Sequence, residues 1–331
     1  MNRSTVPPPV TQVMDEAEAW LPTLMARVET RLGELVEGYG DALGGDARAT
    51  LSAGGKRLRP MLVLLCAGPE AAAPALRGAA AIELVHMATL VHDDVLDQAP
   101  LRRGLPTVVA TSGRERATAV GDLLLSRAFA ELGEGADVGG ERQVELMAGA
   151  SVGLALGELA QRRDAWNIET TAERYLERCR LKTARLFECA CLIGRVSAED
   201  DPAAKALRSF GREIGLAFQL LDDVLDVAGP PERTGKARGT DLLDGTVTMP
   251  LILAREHDQS LASLDLRSLD ARSAEEACDR IAQTGALDEV RAGARERVAE
   301  AKRTIASCES LSEPQRRLLS LVADGVVERY A

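Results

Sequence analysis

Apolar residues recur at three- and four-residue spacing through residues 73–98, 115–132, 141–163, 170–194, 203–227 and 286–307. No convincing strand alternation interrupts them. A chain patterned this way can bury its apolar stripes only by packing helix on helix, so an all-α fold is expected. Ala and Leu dominate and aromatics are only 3%, which favours helix over strand. Breaks fall at AGPEAAAP (67–74), GEGADVGGE (133–141) and GPPERTGKARG (229–239). The last, rich in Gly, Pro and charge, reads as a mobile loop beside a site. No composition shift marks a domain boundary. Residues 13–331 are therefore expected to form one large helical domain behind a disordered leader, residues 1–12, stiffened by Pro7 to Pro9.

Several functions are disfavoured at once. A net charge of −11 argues against a nucleic-acid binder, which needs a basic face. No apolar run reaches membrane-spanning length, and MLVLLCAG (61–68) is far too short. The N-terminus has no signal-peptide core. Six cysteines without a CxxC pair read as reduced core thiols of a cytoplasmic protein.

Within this pattern, LVHDDVLD (90–97) and QLLDDVLD (219–226) each place DDVLD after an apolar run. On a helix Asp93 and Asp97 share a face, with Asp94 about 100° round. Asp222, Asp223 and Asp226 repeat the arrangement. One such motif matches readily by chance, whereas two on apolar helices point to a shared purpose. Carboxylate oxygens suit Mg²⁺, which often completes its shell with substrate phosphates. Two acidic faces opposite each other could hold several Mg²⁺ ions around a polyphosphate.

Basic segments lie between and around them. GGKRLRP (54–60) offers Lys56, Arg57 and Arg59. RRG (102–104) adds Arg102 and Arg103. LKTARLF (181–187) puts Lys182 and Thr183 on a helix, and TGKARGTD (234–241) places Lys236 in the loop. Each alone is an ordinary solvated cation. Together they describe a diphosphate site with room for a second anion. His86, two turns before Asp93, can reach the same groove.

GGKRLRP, HDDVLD…RRGLPT, GELAQ (157–161), KTARLF and FQLLDDVLD…GK…GTDLLDGTVTMPLI, in that order, resemble the trans-polyprenyl diphosphate synthase family. The resemblance runs from about Gly54 to Ile252. It implies a helical bundle of the isoprenoid synthase type around a central cavity, and a likeness to head-to-tail prenyltransferases that join isopentenyl diphosphate to an allylic diphosphate. It implies a homodimer and three Mg²⁺ ions, with Asp93, Asp97 and Asp222 as direct ligands and Asp94, Asp223 and Asp226 in support. Arg102, Lys182 and Lys236 correspond to the allylic diphosphate clamp. Lys56, Arg59, His86 and Arg103 correspond to the isopentenyl diphosphate site, and Thr183 and Gln219 to residues near the forming carbocation, with Phe218 preceding that glutamine. One departure stands out. The family often shows D-x-x-E-G-K after the second acidic motif, and here Asp244 and Thr246 take the places of its acid and its lysine.

A terpene cyclase would also ionise a diphosphate, but needs an aromatic-lined pocket, and four Phe, two Trp and three Tyr make that a poor fit. A non-catalytic partner subunit has no use for six metal-side carboxylates. Product length is expected to depend on Ala88 and Thr89, one turn before Asp93, and Val85, a turn deeper. No bulky aromatic stands there, which favours a medium- or long-chain product over farnesyl or geranylgeranyl diphosphate.

Overall fold

The computed structural model describes residues 8–70, 73–134, 139–195, 201–229 and 238–328. They form α1 (Pro8–Glu16), α2 (Leu21–Leu35), α3 (Gly45–Ser52), α4 (Leu58–Ala67), α5 (Ala73–Asp97), α6 (Val108–Ser112), α7 (Arg114–Gly133), α8 (Gly140–Asp164) and α9 (Ala172–Cys179). After them come α10 (Arg185–Gly194), α11 (Pro202–Ala228), α12 (Thr240–Leu243), α13 (Met249–His257), α14 (Gln259–Ala262), α15 (Ala271–Gln283), α16 (Ala286–Ala306) and α17 (Glu313–Glu328). The all-α expectation holds.

The middle of the bundle is set by two helices with no polar face to turn outward. Pro60 to Cys66 of α4 are all buried, and so are Leu186 to Ile193 of α10. The α4 stretch is apolar all round and must be enclosed, while the one charge in the α10 stretch, Glu188, is buried and accepts from Arg185 at 3.0 Å. α10 lies against α4, α5, α8 and α11, while α5 runs along α7 and α11 along α16. The two helices bearing the acidic motifs, α5 and α11, therefore flank one central helix. Cys189 and Cys191, two residues apart, are both buried because α10 has no solvent side.

Three local features differ from the sequence expectation. Helix α1 takes in residues 8–12, assigned above to the disordered leader. Proline is tolerated in the first helical turn, where its missing N–H has no partner to lose, and Val13 is fully buried. Residues 1–7 lie outside the described residues. Second, Leu101–Arg102 and Leu105–Pro106 pair as a two-stranded antiparallel hairpin, too short to show an alternating pattern. Arg103 and Gly104 carry the positive φ angles of a two-residue hairpin turn, 53° and 76°. Third, the helical run at 170–194 contains a wider π turn, Arg180–Ala184, between α9 and α10. Such turns recur at functional sites.

Close approach of α11 to that π turn depends on Gly215. A Cβ there would lie 2.6 Å from the Ala184 Cα and 3.2 Å from the Phe187 Cβ. Gly215→Ala should therefore destabilise the fold by about 1–3 kcal/mol, despite the roughly 1 kcal/mol that alanine gains in a helix. Gly293→Ala on α16, with nothing within 4 Å, should be neutral or stabilising. Urea unfolding of both variants measures this, and equal effects would contradict the packing argument.

Candidate active site

Asp93 and Asp97 from the end of α5 and Asp222 and Asp223 from α11 line one cavity of about 540 Å³. Asp241 and Asp244 close the same wall. The other two acids of the repeated motifs turn elsewhere. Asp94, on the next face of α5, is buried and accepts from Arg102 Nε at 2.7 Å. Asp226 accepts from the Asp241 backbone N–H at 3.2 Å, holding the start of α12. Neither lines the cavity.

Cations meet these carboxylates from α8 and the π turn. Arg162 Nη2 donates to Asp97 at 2.7 Å and its Nε to Glu158 at 2.8 Å. Lys182 Nζ donates to Glu158 at 2.5 Å and to Gln161 at 3.2 Å, and stands 3.9 Å from Asp93. The chain reaches this geometry because Gly157 lets α8 touch the π turn. A Cβ at that position would sit 2.7 Å from the Lys182 backbone nitrogen. Thr183, next in the turn, donates to Gln219 Oε1 at 2.7 Å. Gln219 Nε2 donates to Asp223 Oδ1 at 2.8 Å, and the buried Tyr175 hydroxyl donates to Asp223 Oδ2 at 2.5 Å. One network thus runs from the π turn into the second acidic motif.

The opposite rim is cationic. Arg59, Arg102 and His86 line the cavity. Arg59 stands 4.5 Å over the Phe187 ring. Burial lowers its pKa to about 10, against the pull of Glu83 and aided by Arg103, which still leaves it charged at pH 7. Burial, with Arg59, Arg103, Arg102 and Arg57 near by, holds His86 well below its ordinary value, so its imidazole is neutral. Lys56 and Arg103 are not in the cavity wall; Arg103 lays its guanidinium against Gly55. Arg57, by contrast, is structural. It is buried, with bonds to Glu29, Glu83 and the Leu51 carbonyl, each made at 2.7 Å. His92 turns to α7, 3.3 Å from Asp122. Lys236 lies outside the described residues. Of the three positions expected to set product length, Thr89 lines the cavity, while Val85 and Ala88 are packed in the core.

Sequence reasoning assigned no role to Glu158, Gln161, Arg162, Tyr175, Arg178 or Asp241. A signal existed for two of them. Tyr175 and Arg178 stand seven and four residues before Lys182, on its face of a helix. The Glu158–Lys182 pairing arises only when α8 and the π turn meet.

Burial raises the Asp93 carboxyl to about 6, with Lys182 pulling it down and Glu158 and Asp97 pushing it up. Burial likewise raises Asp223. Among the described residues no three acidic, histidine or cysteine side chains converge into a ready-made cage. Mg²⁺ keeps waters and takes one or two carboxylates plus phosphate oxygens. A wall of hard oxygen donors made costly by burial fits this ion, carried in with a diphosphate.

A helical bundle with facing acidic walls and a cationic rim defines a class of enzymes that ionise a prenyl diphosphate. Residues 42–283 match the polyprenyl synthetase family, and the chain belongs to that family. It is 39% identical over 243 residues to component 2 of the heptaprenyl diphosphate synthase of Geobacillus stearothermophilus, covering 72% of this chain and 75% of that protein. It is 34% identical over 290 residues to a geranylgeranyl diphosphate synthase of Methanosarcina mazei, covering 86% and 88%. Its fold superposes on a polyprenyl synthase of Caulobacter crescentus CB15, complexed with calcium and isoprenyl diphosphate. The TM-score is 0.87 and the identity 34%, over 97% of this chain and 98% of the other. The protein is a prenyltransferase of the kind that elongates trans-prenyl diphosphates, in a Mg²⁺-dependent family. Among the described residues no helix is long and apolar enough to cross a membrane.

The Asp93 shift is upward from 3.8 to about 6, so the folded chain keeps a proton that the unfolded chain releases. The penalty is absent below about pH 4 and complete only above about pH 6. In metal-free protein, Asp93→Asn should be more thermostable than wild type near pH 8 and equal to it near pH 4. Scanning calorimetry decides; the same difference at both pH values would contradict the burial argument.

Proposed function

We propose that the cavity binds an allylic diphosphate between the two acidic motifs and isopentenyl diphosphate on the cationic rim. The observation that carries this reading is that Asp93 and Asp97 share one cavity with Asp222 and Asp223, with Arg59, His86, Arg102 and Lys182 around them. Asp93, Asp97 and Asp222 are the direct metal ligands. Asp223 acts through Tyr175 and Gln219, Asp94 through Arg102, and Asp226 through the start of α12. Three Mg²⁺ ions, when bound there, would draw charge from the departing diphosphate.

The chain's own groups account for the remaining steps. Arg102, Lys182 and Lys236 hold the allylic diphosphate, and its C–O bond breaks with the electron pair leaving on diphosphate. The Thr183 and Gln219 oxygens face the allylic cation. Leu90, Leu154, Leu186 and Phe218 in the wall keep water away from it. Lys56, Arg59, His86 and Arg103 hold isopentenyl diphosphate so that its double bond attacks the cation and forms the new C–C bond. The proton then lost goes to the released diphosphate, since His86 is surrounded by arginines, Asp93 would hold Mg²⁺, and Asp223 already accepts from Tyr175 and Gln219.

The unit is one helical domain that takes in α1 from Pro8, acting as a homodimer. Val152, Leu156 and Leu159 support that assembly as an exposed apolar stripe on α8. Six free, buried thiols support a cytoplasmic location. The product is medium or long in chain, because Thr89 is too small to close the cavity beside α5. Labelled isopentenyl diphosphate, supplied with a series of allylic primers, should give products longer than geranylgeranyl diphosphate by mass spectrometry. Thr89→Phe should shorten them by at least one unit. Products that stop at geranylgeranyl diphosphate, or an unchanged length in Thr89→Phe, would overturn the chain-length reading. Failure to incorporate label would overturn the assignment.

A further inference from the structure

In the segment after the second acidic motif, Thr246 stands where the family pattern often has a lysine, and it lines the cavity without charge. The side chain that reaches this part of the wall is Arg178 of α9. It is only 4% exposed and lines the same cavity. Its Nη2 donates to the carbonyl of Val247, the residue beside Thr246, at 2.7 Å. Its guanidinium carbon lies 5.3 Å from the centre of the Tyr175 ring. Its Nη1 is buried and has no hydrogen-bond partner among the described residues. An unpaired donor at that depth is costly, and more so when it is charged.

A purely structural part for Arg178 leaves this arrangement unexplained. Anchoring the Val247 carbonyl uses one nitrogen. Pairing with Asp223 is not made either, since that carboxylate already accepts from Tyr175 on one oxygen and Gln219 on the other. No carboxylate lies within ion-pair distance of Arg178 among the described residues. The free nitrogen belongs to a planar fork suited to phosphate oxygens, in a cavity that already holds Lys182.

We infer that Arg178 binds the allylic diphosphate and supplies the positive charge that Thr246 lacks. Nη2 stays on the Val247 carbonyl and fixes the plane of the fork, while Nη1 donates to a diphosphate oxygen. The cation is delivered from α9, one helical turn before Lys182, rather than from the segment after the second motif. This rests on the cavity being the diphosphate site.

Arg178→Met, Thr246→Lys and the double variant test it, with Lys182→Ala as control. The readouts are the rise in Tm caused by inorganic diphosphate with Mg²⁺, and the KM values for both substrates. Arg178→Met should lose most of the diphosphate-induced rise. It should increase KM for the allylic diphosphate about tenfold or more and leave that for isopentenyl diphosphate within about twofold. Adding Thr246→Lys should restore most of both losses. If Arg178→Met does not fold, Arg178→Lys takes its place, with a several-fold increase and the same recovery expected. A variant at 178 that keeps the full response, or a loss that Thr246→Lys does not restore, overturns the inference. If Lys182→Ala loses the response while Arg178→Met keeps it, the inference fails alone. If wild type shows no response, the site reading falls with it.

Discussion

Asp93 and Asp223 are carboxylates withdrawn from water into one cavity, each beside further acids, and the rest of this site is arranged around that cost. The wall carries Asp93, Asp97, Asp222, Asp223, Asp241 and Asp244. α8 and the π turn answer it with Arg162 on Asp97 and Lys182 near Asp93. Tyr175 and Gln219 answer it with neutral donors at Asp223. The compensation is incomplete, as the upward shift at Asp93 records. What remains is a cost that the proposed binding of divalent ions with a diphosphate would offset. Even the central packing serves this end, because α10, buried all round, spaces α5 and α11 on its two flanks.

The long helices were legible from periodicity, since each of the six segments had enough turns for its apolar stripe to repeat. The hairpin at 101–106 spans two residues per strand and has no period to read. The π turn at Arg180–Ala184 was invisible because its residues suit an α-helix equally well; it forms where Gly157 and Gly215 let two other helices press against it. Helix α1 was hidden by its prolines, which mark a helix start as readily as a stiff linker.

The chemistry was legible in outline and less so in detail. The i, i+4 spacing put Asp93 and Asp97 on one face and Asp94 off it, as found. The same argument paired Asp222 with Asp226, yet Asp222 and Asp223 line the cavity. Asp226 is drawn to the Asp241 backbone N–H, a partner 15 residues later in a segment whose path no local pattern dictates. Tertiary partners likewise decided between Arg57 and Arg59, two residues apart in one basic motif. Arg57 is buried and pairs with buried Glu83 and half-exposed Glu29, whereas Arg59 lies over Phe187 at the cavity.

The central claim is that the two acidic walls act as one site, completed by the diphosphate itself. Mn²⁺ binding, followed by electron paramagnetic resonance with and without inorganic diphosphate, tests it most directly. The account predicts weak binding by the protein alone and strong, cooperative binding when diphosphate is added. It also predicts that the cooperative step is lost equally in Asp93→Asn and Asp222→Asn. Tight binding without diphosphate, or a cooperative step that survives the loss of either aspartate, would contradict it.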